Sequence, residues 1–444
     1  MPPMSVAERP SIPTASAADT LALTTDVLLP TLAQGPIMRR KRVVALAERR
    51  DLVQRAVERM QRLHETYGDG PLMMRVPVRN QAVVLAPQHV HRVLEGSPDP
   101  FAADSSEKRA SLSHFQPKAV LISSGPERTD RRRFNEDVLD MPDPLHRLWE
   151  RFRSVIEEEA HVMLAQAHRR GVLDWETFGD AWFCVVRRVM LGDAARDDRP
   201  FTRMHEKLRM HANLAFLQPK RRALRDEFFA QLNAYLADAD PNSLAGVMAK
   251  THTTDMTAPD HQVPHWLFAA DPAGMTTFRT LALLSAHPEH EIRVRDEAEG
   301  DDPALPFGRQ CVLESLRLWP TTPMILRQTS VETQWESGVM PANTGLLIFA
   351  PFVHRDDRHL DYADAFAPEV WSKERTSSDW PLVPFSRGPV GCPAQNLVLF
   401  LTSTMVATLL RQARFSERPP AKLYATHAMP SMLDPYTLRF DVTD

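Results

Sequence analysis

Phe385-Ser386-Arg387-Gly388-Pro389-Val390-Gly391-Cys392-Pro393-Ala394 stands just before an apolar run from Asn396 to Leu410. Four Gly and Pro residues keep this stretch on irregular backbone, and the run after it reads as a buried helix. Cys392 is thereby carried on a turn close to a helix start. Exposed N–H groups and the helix dipole favour negative charge there, so the setting is expected to lower the thiol pKa and give a thiolate able to ligate a metal. A single cysteine taken alone reads more simply as core. Cys184, in Trp182-Phe183-Cys184-Val185-Val186, and Cys311, before Val312-Leu313, are read that way. Three cysteines in all argue against a disulfide framework and fit a reducing compartment. No Cys or His accompanies Cys392 at zinc-ligand spacing.

Around this loop lies a chain of 444 residues that is 43% hydrophobic, enough for a substantial core. Its net charge of −4 offers no global basic field for nucleic acid. The stretch Leu21 to Leu32 is interrupted by Thr24, Thr25, Asp26 and Pro30, too short and polar to span a bilayer, and no secretory segment is seen. A soluble, cytoplasmic protein is expected. Residues 1–20, rich in Pro, Ser, Ala and Thr without periodicity, read as part of a flexible N-terminal tail over 1–35, with one large domain over 36–444.

Helical spacing marks Arg42 to Tyr67, Leu148 to Ala167, Trp175 to Leu191, Phe201 to Phe216 and Arg222 to Ala237. Leu72 to Val78 and Gln81 to Ala86 read as a hairpin across Arg79-Asn80. Short β-rich pieces follow between Arg327 and Val353, and again near the C-terminus. The fold class is mainly α with small β-sheets, in a single large domain without repeats.

Upstream of the cysteine loop, Glu314-Ser315-Leu316-Arg317 places an acid and an arginine on one helical face, where they can pair. After it come Pro320-Thr321-Thr322-Pro323, Arg327 at a strand start, His354-Arg355-Asp356, Phe366 to Trp371 and Arg375. In order and spacing, this set resembles the cytochrome P450 family, the haem-thiolate monooxygenases, from roughly Arg42 onward. Glu314 and Arg317 are similar to the family's E-x-x-R pair, with Arg375 as its meander arginine. Phe385, Gly388 and Cys392 are similar to the core of its cysteine loop.

The resemblance implies the cytochrome P450 fold and a b-type haem, iron protoporphyrin IX, with Cys392 as axial ligand and Phe385 shielding the sulfur. It implies that Arg128, Arg132 and Arg327 meet the haem propionates, which need cations near a dry pocket. Arg131 and Arg133 read equally as a solvated face or as a dock for an acidic redox partner. The loop departs from the family pattern at Val390, where His or Arg is common, and at Ala394, where Gly is common.

A sharper departure lies in His265-Trp266-Leu267-Phe268-Ala269-Ala270-Asp271-Pro272-Ala273-Gly274-Met275-Thr276-Thr277. Relatives carry an acid beside an alcohol there, for proton delivery. Counting back from His287-Pro288 without gaps puts Asp271 at the acid position and Pro272 and Ala273 where two Thr usually stand. A competing register matches Thr276 and Thr277 to those Thr at the cost of a helical turn. The ungapped register is preferred, and Pro272 is then expected to free a carbonyl and promote a kink.

Phe101 to Lys118, Leu214 to Pro219, Phe268, Ala269, Met324, Ile325 and Met429 to Met432 are expected to line an apolar pocket. The resemblance thus implies insertion of oxygen from O2 into a small apolar organic molecule. Electrons would come from a separate donor, ferredoxin with its reductase or a flavodoxin type, since no reductase module is visible. A peroxide-using or rearranging haem-thiolate enzyme and a non-catalytic haem-binding sensor stand as alternatives.

Overall fold

The apolar run after the cysteine loop forms the helix Gln395–Gln412, almost wholly buried from Leu397 to Leu410 because no charge interrupts it until Arg411. It packs against the helices Trp149–Arg170, Val263–Ala286, Pro288–Glu299 and Pro306–Leu318. Trp175–Leu191 packs in turn on Trp149–Arg170 and Val263–Ala286, which completes the main helical core. A computed structural model describes residues 12–77 and 79–443 of this chain.

Val263–Ala286 runs through the middle of that core and continues across Pro272 without interruption. Pro272 forfeits one helical hydrogen bond, and burial on most faces of the helix offsets that loss. Gly274 is required by a neighbour rather than by its backbone: a Cβ there would meet the Trp182 ring at 2.8 Å. The close approach lets Trp182 Nε1 donate to Ala270 O at 2.8 Å, tying the two helices together.

Beside the helices lies a five-stranded sheet in the order Leu72–Met74, Gln81–Val83, Gly345–Phe349, Met324–Thr329, Phe101–Ala102. Its first two strands form the expected antiparallel hairpin, with Leu72 opposite Val83. Met324–Thr329 alternates so that Ile325, Arg327 and Thr329 point inward, which buries a cation on an otherwise apolar face. Leu173–Asp174, Arg439–Thr443 and Arg414–Glu417 form a second sheet, and Thr333–Trp335 with Gly338–Met340 a small hairpin.

Two expectations change. Instead of one helix from Arg42 to Tyr67 there are two, Lys41–Arg49 and Leu52–Tyr67, separated at Asp51 with φ of 51°. From residue 12 onward the expected tail is folded: Ala17–Leu23, a π-helical turn Thr24–Leu28 and Leu29–Ala33 follow one another. Ser16 caps the first of these through Asp19 N, and Ile12, Leu23 and Val27 bury their side chains against the sheet. Ala15 N also donates to Met73 O. Residues 1–11 of that tail lie outside the described residues. Among the described residues, no helix is long and apolar enough to cross a membrane.

Candidate functional site

The loop Phe385 to Ala394 is fixed by its own backbone. Cys392 N donates to Phe385 O at 3.0 Å and Gly391 N to Gly388 O at 2.9 Å, closing two nested turns. Gly388 has φ of 71°, and a Cβ on it would stand 2.3 Å from Leu94 O, so the position admits only glycine. Phe385 packs with Val312, Leu316 and Leu399, bridging the helices on either side of the loop.

Cys392 itself is partly exposed. Contrary to the sequence expectation, its thiol pKa is raised. Burial is the largest influence, and the Ala394 N–H and the Arg132 charge only partly offset it. The helix begins three residues later, at Gln395, too far on for its dipole to outweigh the desolvation of the thiol. Cys184 and Cys311 are buried core thiols, as read from the sequence.

Behind the loop, Arg317 donates to both oxygens of Glu314 at 2.6 and 2.8 Å, with both side chains fully buried. The same guanidinium donates to the carbonyls of His354, Ala363, Tyr362 and Ala365. Glu314 also accepts from Ala367 N and Trp371 Nε1. His354, whose pKa burial pushes down to about 3, is neutral and accepts from Val383 N at 2.9 Å. This chain of bonds runs from the ion pair to within two residues of Phe385. Arg375 does not join the pair: it donates to Val370 O and Trp380 O, while its own carbonyl accepts from Arg387.

Three of the arginines singled out in the sequence gather near the loop. Arg327 donates to Ser97 Oγ, to Leu326 O and to Ser386 Oγ inside the loop, each at 3.0 Å. Burial, then the Arg128 charge, pushes its pKa down to about 10. Arg128 donates to Val120 O at 2.9 Å. Arg132 donates to Gly391 O at 2.5 Å, with its other groups on Glu136 and Met141 Sδ. Arg131 is no exposed dock, since it is buried and held by Ser123, Met256 O and Glu127. Arg133 is engaged by Asp130, Asp137 and His252 O.

On the long helix, His265, Phe268, Ala269, Asp271 and Pro272 are only partly buried while their neighbours are wholly so. Their spacing makes one stripe, the face of the helix turned toward open space. Asp271 pairs with Arg209 of the helix Arg199–Ala212 at 2.5 Å. Arg209 is buried beside the Phe268 ring, and its Nε and Nη1 have no partner at hydrogen-bonding angles. Thr276 and Thr277 spend their hydroxyls on Pro272 O and Ala273 O, one turn back. One turn past Asp271 on this helix, a cavity of about 60 Å³ is lined by Met275, Arg279, Pro323, Met432 and Tyr436.

Residues 261–427 match the cytochrome P450 family model. Over nearly its whole length the chain superposes on a solved cytochrome P450, CYP102L1, with a TM-score of 0.73 at 15% identity, covering 97% of this chain and 98% of that one. The chain has the cytochrome P450 fold, and its C-terminal segment is similar to that family in sequence. Among curated relatives, cyclooctat-9-en-7-ol 5-monooxygenase of Streptomyces melanosporofaciens is 30% identical over 299 residues, 62% of this chain. Cytochrome P450 4c3 of Drosophila melanogaster is 30% identical over 148 residues, 30% of this chain. The chain spans 65% of the length of the first and 28% of that of the second.

Sequence reasoning passed over two charged residues beside the candidate site, Arg209 and Lys108. Arg209 carries a readable signal: it falls on the buried face set by Phe201, Met204, His205, Leu208 and Ala212, where a charge requires a partner. Lys108, within the segment expected to line the pocket, carries none, because the Leu326 carbonyl and the Arg327 charge that mark its position lie more than two hundred positions away.

Proposed function

We propose that this protein is a cytochrome P450, a haem-thiolate monooxygenase with Cys392 as the axial ligand of a b-type haem. The observation that carries the proposal is the partly exposed Cys392, held on a glycine-dependent loop and flanked by buried cations that form no ion pair. Among the described residues neither Arg128 nor Arg327 is paired with a carboxylate, a setting that suits the two acidic side chains of a haem. When bound, the haem supplies the redox chemistry by which O2 is activated and one oxygen atom enters the substrate.

The protein's own residues then have distinct tasks. Arg132 steadies the loop through Gly391 O, and Phe385 covers it from the side of the flanking helices. Phe268 and Ala269 present apolar surface on the open stripe, which favours a hydrophobic organic substrate. Asp271, a quarter exposed and paired through a single arginine, is placed to take up and release a proton at its carboxylate. Thr276 and Thr277, with their hydroxyls turned onto helix carbonyls, are not free for that task. Electrons come from a separate ferredoxin or flavodoxin-type donor, in the cytoplasm.

A second reading, peroxide-driven oxidation without a reductase, is favoured by Pro272 at the position of the usual alcohol. Peroxide-supported rates above those with redox proteins would establish it. The primary test is the visible spectrum of the reduced, carbon-monoxide-bound protein. Thiolate ligation shifts the Soret band well to the red of a His-ligated haem. Cys392→Ser is expected to abolish that band, and Cys184→Ser and Cys311→Ser to keep it. A folded, haem-loaded protein without the shift overturns the assignment.

A further inference from the structure

Lys108 lies in the short helix Ser106–Leu112, and its Nζ donates to Ala103 O at 2.8 Å and to Leu326 O at 3.1 Å. Arg327 Nη1 donates to that same Leu326 oxygen at 3.0 Å. Two cations therefore share one carbonyl. Burial, then the charges of Arg327 and Arg128, holds the Lys108 pKa well below the ordinary lysine value. The nearest acids are already engaged, Asp104 by Arg109 at 2.6 Å and Glu107 by Arg79 at 2.8 Å. Among the described residues Lys108, Arg128 and Arg327 form no ion pair, although repulsion within such a group is costly unless an anion balances it.

The group is fastened to the cysteine loop, because Arg327 Nη2 donates to Ser386 Oγ. That loop supplies no cation two residues before Cys392, where Val390 stands. Lys108 brings a positive charge beside Arg327 from a different part of the chain.

We propose that Lys108 is a carboxylate-binding residue which, with Arg128 and Arg327, receives the propionates of the haem held by Cys392. The inference rests on the haem-thiolate reading. A carboxylic acid substrate would present the same chemistry, and the attachment of Arg327 to the cysteine loop favours the cofactor as the source.

The test follows haem release from the holoprotein into excess apomyoglobin. Lys108→Met is expected to release haem about tenfold faster than the wild type, and Lys108→Arg at close to the wild-type rate. Lys108→Gln replaces the methionine variant should that one fail to fold. Reconstituted with haem dimethyl ester, which lacks the two negative charges, wild type and Lys108→Met should release at equal rates. Wild-type haem retention in Lys108→Met, or a difference that persists with the dimethyl ester, overturns the proposal. So does a Lys108→Met protein that keeps its haem but binds a long-chain acid more weakly relative to its methyl ester, which assigns the lysine to substrate. Failure of the wild type to take up haem at all overturns the haem-thiolate reading as well, and no variant comparison mimics that result.

Discussion

Two ion pairs of this protein, Glu314–Arg317 and Asp271–Arg209, differ in almost everything except charge. Glu314 and Arg317 have fully buried side chains, and between them they satisfy four carbonyls, a backbone N–H and an indole. Arg209 is as deeply buried, but Asp271 keeps 23% of its side chain exposed, Arg209 Nε has no partner, and Nη1 meets Asp271 outside hydrogen-bonding angles. A saturated pair has one arrangement and acts as a fastener. An unsaturated pair at the edge of open space can exchange partners, which proton transfer requires.

Breaking the saturated pair should have the largest effect. Glu314→Ala strands Arg317 in a dry site and also orphans Ala367 N and Trp371 Nε1. The expected cost is about 3–5 kcal/mol of stability, read from urea unfolding or from loss of soluble, haem-competent protein. A double variant with Met at both positions should recover only part of this, because Arg317 also serves four carbonyls. A loss below about 1 kcal/mol in Glu314→Ala would erase the distinction between the pairs.

The unsaturated pair should respond in activity more than in stability. Asp271→Asn is expected to slow product formation about 100-fold, the scale of a positioned proton donor or acceptor. The fraction of electrons that ends in product should fall with it, while Arg209→Met costs less than about 1 kcal/mol because Asp271 retains solvent. Full, well-coupled turnover in Asp271→Asn would remove the proton role.

The difference between the regions also explains what could be read from the sequence. Helices such as Trp175–Leu191 and Arg222–Ala237 were legible to the residue because their periodicity is local, and Asp174 caps the first of them. The cysteine loop was legible because its Gly and Pro positions answer to local backbone needs, as the contact of Gly388 with Leu94 O shows. The raised thiol pKa of Cys392 was not, since desolvation depends on what other segments pack around the sulfur. Nor was the folding of residues 12–35, where partners lie in the sheet rather than in the segment itself. The partners of Asp271 and Lys108 belong to this second class, and both concern the side of the molecule where substrate and cofactor would meet.

Arg375 sharpens the comparison at its small end, because the family pattern ties it to the Glu314–Arg317 pair while the geometry holds it apart. Its guanidinium reaches Val370 O at 3.3 Å and Trp380 O at 3.0 Å, and its Nε has no partner. The bond from Arg387 falls on the Arg375 backbone carbonyl and survives truncation of the side chain. Its link to the pair is indirect, through the Trp371 ring that lies 5.9 Å from the guanidinium and donates to Glu314. Arg375→Ala should therefore cost about 1 kcal/mol or less, the worth of two ordinary hydrogen bonds less the relief of an orphaned donor. Its thermal unfolding should stay close to that of the wild type when Glu314→Ala falls far below it. Equal losses in the two variants would mean that the fastener is a triad, with Trp371 transmitting the charge of Arg375 into the buried pair.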